Sequence, residues 1–227
     1  MARHGLYVYA LLGTGIAQPR LPGRTMEVIP VGGLFAAAER LRTRPALTEA
    51  TLRRQHRIVV ALSRLSPAVL PVRFGAYMTD DELPQIVRSR RAVLMRALKH
   101  VRGRDQMTVR IFGPALEVLP ASRPSSGSDY LRARAAAMRP VLTPGARALV
   151  KAVSSVVDAQ HVSGSRGGVQ LTIDHLVRRS NVARYRRLLS SCVEELQPRL
   201  DVAVSGPWPP FAFAPDIWTP AAEGRDS

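Results

Sequence analysis

Cysteine is almost absent from this sequence, since Cys192 is the only one in 227 residues. A single cysteine excludes an internal disulfide framework and is typical of a reducing compartment. Long apolar runs are also missing, because no stretch approaches the roughly 20 consecutive apolar residues that a membrane-spanning helix needs. The short run Leu6–Leu12 alternates with tyrosines and stops at Gly13, which predicts a first strand rather than a signal peptide. We therefore expect a cytoplasmic protein that does not enter a membrane.

Aromatic residues and lysine are scarce. Aromatics make up 5% of the chain, so the core must rest on Leu, Val and Ala, and 31 of the 33 basic residues are Arg. The formal charge of +16 permits a phosphate-binding surface, because Arg binds phosphate bidentately. The arginines are scattered in short clusters, however, which favours a compositional bias on solvated faces. An acidic protein surface is a third interpretation of the charge.

The first half of the chain predicts an α+β arrangement. Met26–Val31 and Leu34–Ala38 flank Gly32-Gly33, which is a hairpin signal, although alanine in the second run favours helix. A helix is expected over Leu47–Leu65, where Thr48 can cap it and Leu47 and Leu52 have the spacing of a hydrophobic staple. Its predicted buried face consists of Leu52, Val59, Leu62 and Leu65. A second helix is expected from Asp80 to about His100, because carboxylates favour the first turn.

The second half predicts the order strand, helix, strand, strand, helix, strand, which is that of a ferredoxin-like domain. The expected elements are a strand at Met107–Phe112, helical segments from Ser128 and Thr143, strands at Gln160–Ser163 and Val169–Val177, a helix from Asn181 and a strand at Leu200–Val204. The fold class is therefore α+β with two domains, of which the first is a related ferredoxin-like variant. We expect domains at residues 1–103 and 104–206, followed by an extended tail at 207–227.

No group of residues predicts catalysis or metal binding. His161 and His175 could face each other across a hairpin, but two histidines without a carboxylate or cysteine partner are a weak signal for a metal site. His56 and Cys192 fall on apolar helix faces, where packed side chains explain them. The run Gly164–Gly168 leads into a strand, which favours a turn over a phosphate loop. We predict no enzyme activity, no cofactor and no metal.

The C-terminal region carries a run that combines proline with large aromatic residues. Its members are Gly206, Pro207, Trp208, Pro209, Pro210 and Phe211. Three prolines within four residues oppose helix and regular sheet pairing, because each removes a backbone donor and fixes φ. Further apolar residues follow at Phe213, Ile217 and Trp218. This stiff segment either docks on a partner or packs as an arm against its own domains.

Several motifs together make the sequence similar to a known family. They are Leu6-Tyr7-Val8-Tyr9; Val69-Leu70-Pro71-Val72-Arg73-Phe74-Gly75; Gly127-Ser128-Asp129-Tyr130-Leu131; Leu176-Val177; and Ser205-Gly206-Pro207-Trp208-Pro209-Pro210-Phe211. In this order the chain resembles the gas vesicle protein F/L family. The second and the last motif are the most specific, so Leu70, Pro71, Arg73, Phe74 and Gly75 form a secondary candidate motif beside the C-terminal run.

The resemblance implies a non-enzymatic accessory or minor structural protein with two α+β domains. It implies a role in the assembly of gas vesicles, the hollow protein shells that give cells buoyancy. The expected partners are the small, apolar major shell protein and other gas vesicle accessory proteins, with the protein associated with the vesicle in the cytoplasm. The alternative is a basic ferredoxin-like protein that binds nucleic acid, in which case binding weakens steeply with salt.

Overall fold

The computed structural model describes residues 4–16, 20–21, 24–113, 140–164, 168–196 and 200–217. The chain forms two compact units. The first unit consists of Met1–Arg104 and Trp208–Ser227, and the second of Asp105–Pro207. The chain thus leaves the first unit after Arg104 and returns to it at Trp208.

The first unit contains an antiparallel sheet with the strand order β4-β5-β1-β6, and β7 also pairs with β1. Every residue of β1 is buried. The strands are β1 (Gly5–Leu12), β2 (Arg20–Leu21), β3 (Arg24–Thr25), β4 (Glu27–Val31), β5 (Leu34–Leu41), β6 (Val69–Pro71) and β7 (Tyr77–Met78); the helices are α1 (Glu49–Leu65), α2 (Glu82–Ser89) and α3 (Arg91–Val101).

The predicted hairpin around Gly32-Gly33 is confirmed as the β4–β5 pair. Its second strand is β despite its alanines, because β5 also pairs with the central strand β1. Ala36, Ala37 and Ala38 are completely buried there. Tertiary pairing therefore outweighs the weak helix preference of alanine.

Helices cover both faces of this sheet. On one face α1 packs through Val59 and Leu62 against Tyr7 and Tyr9 of β1. On the opposite face α2 and α3 pack against a cluster that includes Leu6. Successive side chains of β1 point to opposite faces of the sheet. Because helices cover both faces, every residue of β1 is buried, and the strand contributes to the core on each side.

Helix α1 begins where the sequence predicts it, but its buried face is different. Thr48 caps the helix and exchanges hydrogen bonds with Thr51 in a capping box. The buried residues are Gln55, Ile58, Val59 and Leu62. Leu52 and Leu65, which the apolar pattern assigned to the core, are 43% and 55% exposed. Leu47 is 73% exposed, so the hydrophobic staple predicted between Leu47 and Leu52 does not form a buried contact.

The helix predicted from Asp80 to His100 is two helices, because α2 ends at Ser89 and α3 begins at Arg91. Asp81 makes no side-chain cap. Asp80 instead pairs with Arg40 of β5 at 2.9 Å, which lowers the pKa of Asp80 chiefly through their hydrogen bond. Asp80, two residues before α2, thus ties the start of this helix to the sheet.

The second unit has a four-stranded sheet with the order β11-β8-β10-β9, which places the first and third of its strands at the centre. Its elements are β8 (Arg104–Phe112), α4 (Pro144–Val153), β9 (Val157–Ser163), β10 (Val169–Arg178), α5 (Val182–Leu196) and β11 (Val202–Trp208). Thr143 caps α4 as predicted, with a proline in the first turn. The helix predicted from Ser128 lies outside the described residues.

The last strand differs from its prediction. It was expected to end at Val204, with the following prolines excluded from the sheet, but β11 continues through Pro207 to Trp208. The strand order explains this, because β11 is an edge strand, and an edge tolerates a residue that cannot donate a backbone hydrogen bond.

Candidate functional site

The C-terminal run is divided between the two units. Gly206 and Pro207 end the second unit, and Trp208 begins the returning part of the first. Gly206 has a φ of +115°, and its backbone passes so close to β8 that a Cβ atom there would lie 2.7 Å from the carbonyl oxygen of Gln106. Arg186 of α5 donates a hydrogen bond of 2.6 Å to the Gly206 carbonyl. These contacts fix the end of β11 within the second unit.

From Trp208 onward the run packs against α1. The Trp208 ring meets the ring of His56 edge-on at 5.3 Å, and the Phe211 ring stacks on His56 at 6.2 Å. Pro209 and Pro210 between them are buried, whereas Phe211 remains 38% exposed. The prolines therefore anchor the segment and leave one aromatic side chain partly accessible.

An open groove of about 670 Å³ lies on the same part of α1. Its lining residues are Ala50, Leu52, Arg53, His56 and Arg57. The exposed side chain of Leu52 contributes apolar surface and Arg57 adds a positive charge, whereas Arg53 pairs with Glu49. Sequence reasoning missed this surface because it assigned both Leu52 and His56 to the packed side of α1.

The end of the described chain crosses to the other face of the sheet. A short 3-10 turn at Phe211–Phe213 contacts β6, and Phe213, Ala214 and Ile217 then pack on the core under α2 and α3. Asp216 forms an ion pair of 2.7 Å with Arg73. Trp218, which was predicted to continue the apolar segment, lies outside the described residues.

The secondary motif lies next to this segment. Leu70 and Pro71 are buried in β6. Arg73 is exposed and holds Asp216, while Phe74 contacts the ring of Tyr7 at 6.0 Å. The backbone N–H of Gly75 donates to the Tyr7 hydroxyl at 3.1 Å. The structure therefore brings the second motif together with the region that follows the C-terminal run.

Buried polar contacts hold the first motif against α1. The Tyr7 hydroxyl donates to Gln55 Oε1 at 2.6 Å, and Gln55 Nε2 donates to the carbonyl of Val72. The Tyr9 hydroxyl donates to Glu39 Oε2 at 2.8 Å and accepts from Arg54. Burial, and then the bond to Glu39, raise the pKa of Tyr9, so the phenol stays protonated. These tyrosines position α1 and are not free to react.

A second buried polar group lies in the second unit. His175 Nε2 contacts Gln160 Oε1 at 3.2 Å, and Nδ1 contacts the Tyr185 hydroxyl at 2.7 Å. Gln160 Oε1 can only accept, so Nε2 carries the proton and Nδ1 accepts from Tyr185. Burial lowers the pKa of His175 to about 4. The ring is 1% exposed, so no substrate can reach it.

His161 and His175 do not face each other across the hairpin, which the sequence had left open as a possibility. The register of β9 and β10 places Asp174 opposite His161 and Gln160 opposite His175. The two imidazoles therefore belong to different faces of the hairpin, because neighbouring residues of a strand point to opposite sides. Cys192 is half-buried beside the core of this unit, where burial raises the pKa of its thiol.

The described ranges contain neither a cluster of metal ligands nor a membrane-spanning helix. No three His, Cys, Asp or Glu side chains there converge as ligands of one metal ion. Among the same residues, every helix is too short or too polar to cross a bilayer.

Comparisons with known proteins agree on one family. The family model described as gas vesicle synthesis protein GvpL/GvpF matches residues 5–215. The fold is similar to the crystal structure of the gas vesicle protein GvpF from Anabaena sp. PCC7120, with a TM-score of 0.71 and 15% identity over 94% of this chain and 99% of that one. The gas vesicle protein GvpF from Microcystis aeruginosa gives a TM-score of 0.70 and 13% identity over 93% and 99% of the two chains. No protein of curated function matches the chain.

The family match extends from the first residue of β1 to the turn after the C-terminal run, so it includes both candidate motifs. The two solved structures independently share the α+β fold over nearly the whole chain. This chain belongs to the GvpL/GvpF family of gas vesicle synthesis proteins, and its role lies in gas vesicle formation.

Proposed function

We propose that this protein is a non-enzymatic accessory protein that supports gas vesicle assembly by binding the major shell protein. The observation that carries the proposal is the groove on α1, where Leu52 and His56 present apolar surface and Phe211 of the neighbouring proline segment stacks on His56. Family membership supports the biological setting, and the groove supplies a surface suited to an apolar partner.

The physical argument rests on surface that folding leaves exposed. Leu52 and Phe211 are 43% and 38% exposed although their unit has a complete core. Covering such side chains with a partner releases about 25 cal/mol for each Å² removed from water. Because buried prolines already order the segment that carries Phe211, little conformational entropy is lost when a partner binds.

The remaining expectations belong to the same proposal. The strand order of the second unit supports a ferredoxin-like domain, and the antiparallel sheet with helices on both faces supports a related variant in the first. We propose that these two units are the domains of the protein, that the run from Gly206 to Phe211 is its docking motif, and that it acts in the cytoplasm beside the growing vesicle.

The test is co-purification of the shell protein with matched variants of α1. Leu52→Gln alters the groove, while Leu65→Gln alters a somewhat more exposed leucine at the other end of the same helix. Glutamine keeps the helix preference of leucine, so both variants should fold. We expect L52Q to retain about one fifth or less of the shell protein, because part of a leucine side chain is worth roughly 1 kcal/mol.

Leu65→Gln should capture as much shell protein as the unchanged chain does. Circular dichroism of both variants checks that the fold is intact. Equal capture by L52Q and L65Q would show that the groove does not bind the shell protein, and absence of any capture by the unchanged chain would refute the partner itself.

A further inference from the structure

The outer edge of β11 is the open end of the sheet in the second unit. β11 stands last in the strand order, and among the described residues no strand pairs with its other side. Its residues Val202–Ser205 include neither a charged side chain nor a proline. The strand at the opposite end of the sheet, β9, does carry charge, since its Asp158 pairs with Arg178 at 3.3 Å. Because charged residues and prolines commonly keep edge strands from pairing, the edge of β11 is suited to accept a further strand.

Two contacts with β8 determine which backbone groups of β11 face this edge. The N–H of Phe112 donates to the Asp201 carbonyl at 2.9 Å. A Cβ atom on Gly206 would lie 3.3 Å from Met107 Cα. One antiparallel register explains both contacts, with Asp201 in a hydrogen-bonded pair and Gly206 in a closer pair without backbone hydrogen bonds. Backbone groups alternate in direction along such a strand, so those of Val204 and Gly206 point away from β8.

Arg186 provides independent support for this alternation. Its guanidinium donates to the Gly206 carbonyl at 2.6 Å, so this carbonyl faces a side chain of α5 rather than β8. In the part of the chain that the structure describes, no side chain or loop is hydrogen-bonded to the backbone of Val202 or Val204. The edge therefore offers the N–H and carbonyl groups of these two valines to a partner.

A pocket of about 250 Å³ adjoins these backbone groups, between the end of β11 and α5. Met107 and Leu189 form its buried floor, and the Val204 side chain beside them is 42% exposed. Arg186 also lines the pocket, and no carboxylate of the described residues pairs with it. A cavity of about 150 Å³ holds benzene, so this pocket has room for a branched aliphatic side chain. The site thus combines an apolar floor and one cation with an open strand edge.

We propose that this edge and pocket bind an extended segment of a partner protein, which pairs antiparallel with β11 and extends the sheet. An aliphatic residue opposite Val204 fills the pocket, since residues directly opposite each other share one face of a sheet. The residue opposite Gly206 lies two positions earlier in the antiparallel partner and is acidic, so that its carboxylate meets Arg186. The partner therefore carries Glu or Asp, then any residue, then Leu or a similar side chain.

The features of the site favour this occupant over others. A small carboxylic acid would satisfy Arg186 but would leave the backbone groups of Val202 and Val204 exposed to water. A second copy of β11 lacks the required charge, because Val202–Trp208 contains no acidic residue. Antiparallel pairing is preferred because it is slightly more stable per residue than parallel pairing. Val202–Gly206 extends over about 16 Å, so about five residues of the partner pair with it.

The test uses the full-length protein and a fluorescein-labelled peptide of about nine residues, in which Ser and Thr flank a central Glu-Thr-Leu. Fluorescence anisotropy at physiological salt measures its affinity. One control peptide has the same composition with the order Leu-Thr-Glu. Another carries a methyl group on the backbone nitrogen of its leucine, which removes the donor to the Val204 carbonyl and blocks strand pairing. We expect each control peptide to bind at least about tenfold more weakly.

Two pairs of matched variants locate the site. Val204→Gln should weaken the Glu-Thr-Leu peptide about fivefold, whereas Ala203→Gln, at an exposed position on the opposite face of the same strand, should not change its affinity. Arg186→Gln removes the charge but keeps a donor for the Gly206 carbonyl. It should weaken this peptide about fivefold and leave the affinity for a Gln-Thr-Leu peptide unchanged, while Arg187→Gln should alter neither.

No saturable binding, equal binding of the reversed or the methylated peptide, or equal losses within either pair of variants would overturn the proposal, with circular dichroism as the check that each variant is folded. A dimer of the unchanged protein that Val204→Gln converts to a monomer in analytical ultracentrifugation would assign the edge to a second copy instead. Tighter peptide binding after deletion of residues 218–227 would assign it to the chain's own C-terminal end. The result is independent of the shell-protein experiment, because that experiment alters α1 of the first unit.

Discussion

The close approach of Gly206 to β8 gives a sharp test of how the C-terminal run is held. Replacement by alanine combines two penalties, since Gly206 has a φ of +115° and an added Cβ would meet the Gln106 carbonyl oxygen at 2.7 Å and Met107 Cα at 3.3 Å. Positive φ costs a residue with a Cβ roughly 1–2 kcal/mol, and forcing an extra methyl into a packed contact costs about 1–3 kcal/mol more. We expect Gly206→Ala to lower the free energy of unfolding by about 2–5 kcal/mol.

Gly168 separates the two penalties. It also has a positive φ, of +80°, and belongs to the same unit, but no neighbouring atom of the described residues lies within 4 Å of an added Cβ. Gly168→Ala should therefore cost only the roughly 1–2 kcal/mol of the backbone conformation. The difference between the two variants isolates the contact between the end of β11 and β8.

Urea unfolding followed by circular dichroism gives the free energies of the two variants. Hydrogen exchange of the peptide that covers β8 then reports on the affected strand, because two units need not unfold together. Faster exchange in β8 is expected for G206A and not for G168A. Equal destabilisation by the two substitutions would refute the reasoning, because the contact between the added Cβ atom and β8 would then not change the free energy of unfolding.

Two further predictions concern the buried polar groups. Burial lowers the pKa of His175 from about 6.5 in the unfolded chain to about 4 in the folded protein. The unfolded chain therefore binds an extra proton as pH falls from 6.5 to 4, and the free energy of unfolding drops by about 3 kcal/mol over that window. His175→Gln should remove this part of the pH dependence of the urea midpoint, and an unchanged profile would contradict the assignment. Arg54→Met breaks bonds of 2.7 Å to Tyr9 and 2.9 Å to Glu39 and should cost about 2–3 kcal/mol in thermal unfolding, whereas Arg53→Met, which removes an exposed pair with Glu49, should cost under about 0.5 kcal/mol. Similar losses for the two arginines would show that burial of the Arg54 contacts adds nothing.

Local patterns were sufficient for many of the elements. The hairpin at Gly32-Gly33, the Thr48 and Thr143 caps and the strands on either side of residues 164–168 are all found where the sequence predicts them. Each depends on backbone conformations and hydrogen bonds among residues close in sequence. The family motifs were likewise identified individually from the sequence. The family model matches residues 5–215, which includes all of them.

Sequence reasoning failed where distant residues decide the environment. Leu52 fits the apolar period of α1, yet it is exposed, because the sheet beneath that helix meets Gln55 and Ile58 instead. Pro207 was excluded from the sheet, yet it is accommodated because β11 occupies an edge. Neither outcome can be read from the residues within one helical turn or one strand.

The amino-acid order by itself indicated the family and the α+β class and excluded an internal disulfide, because these follow from short motifs, periodicity and composition. Only the tertiary structure decided that the chain returns at Trp208 to complete the first unit, and which leucines and arginines remain on its surface. The physical reason is that burial and charge neutralisation are set by contacts between residues far apart in sequence, such as His56 with Phe211 and Arg73 with Asp216.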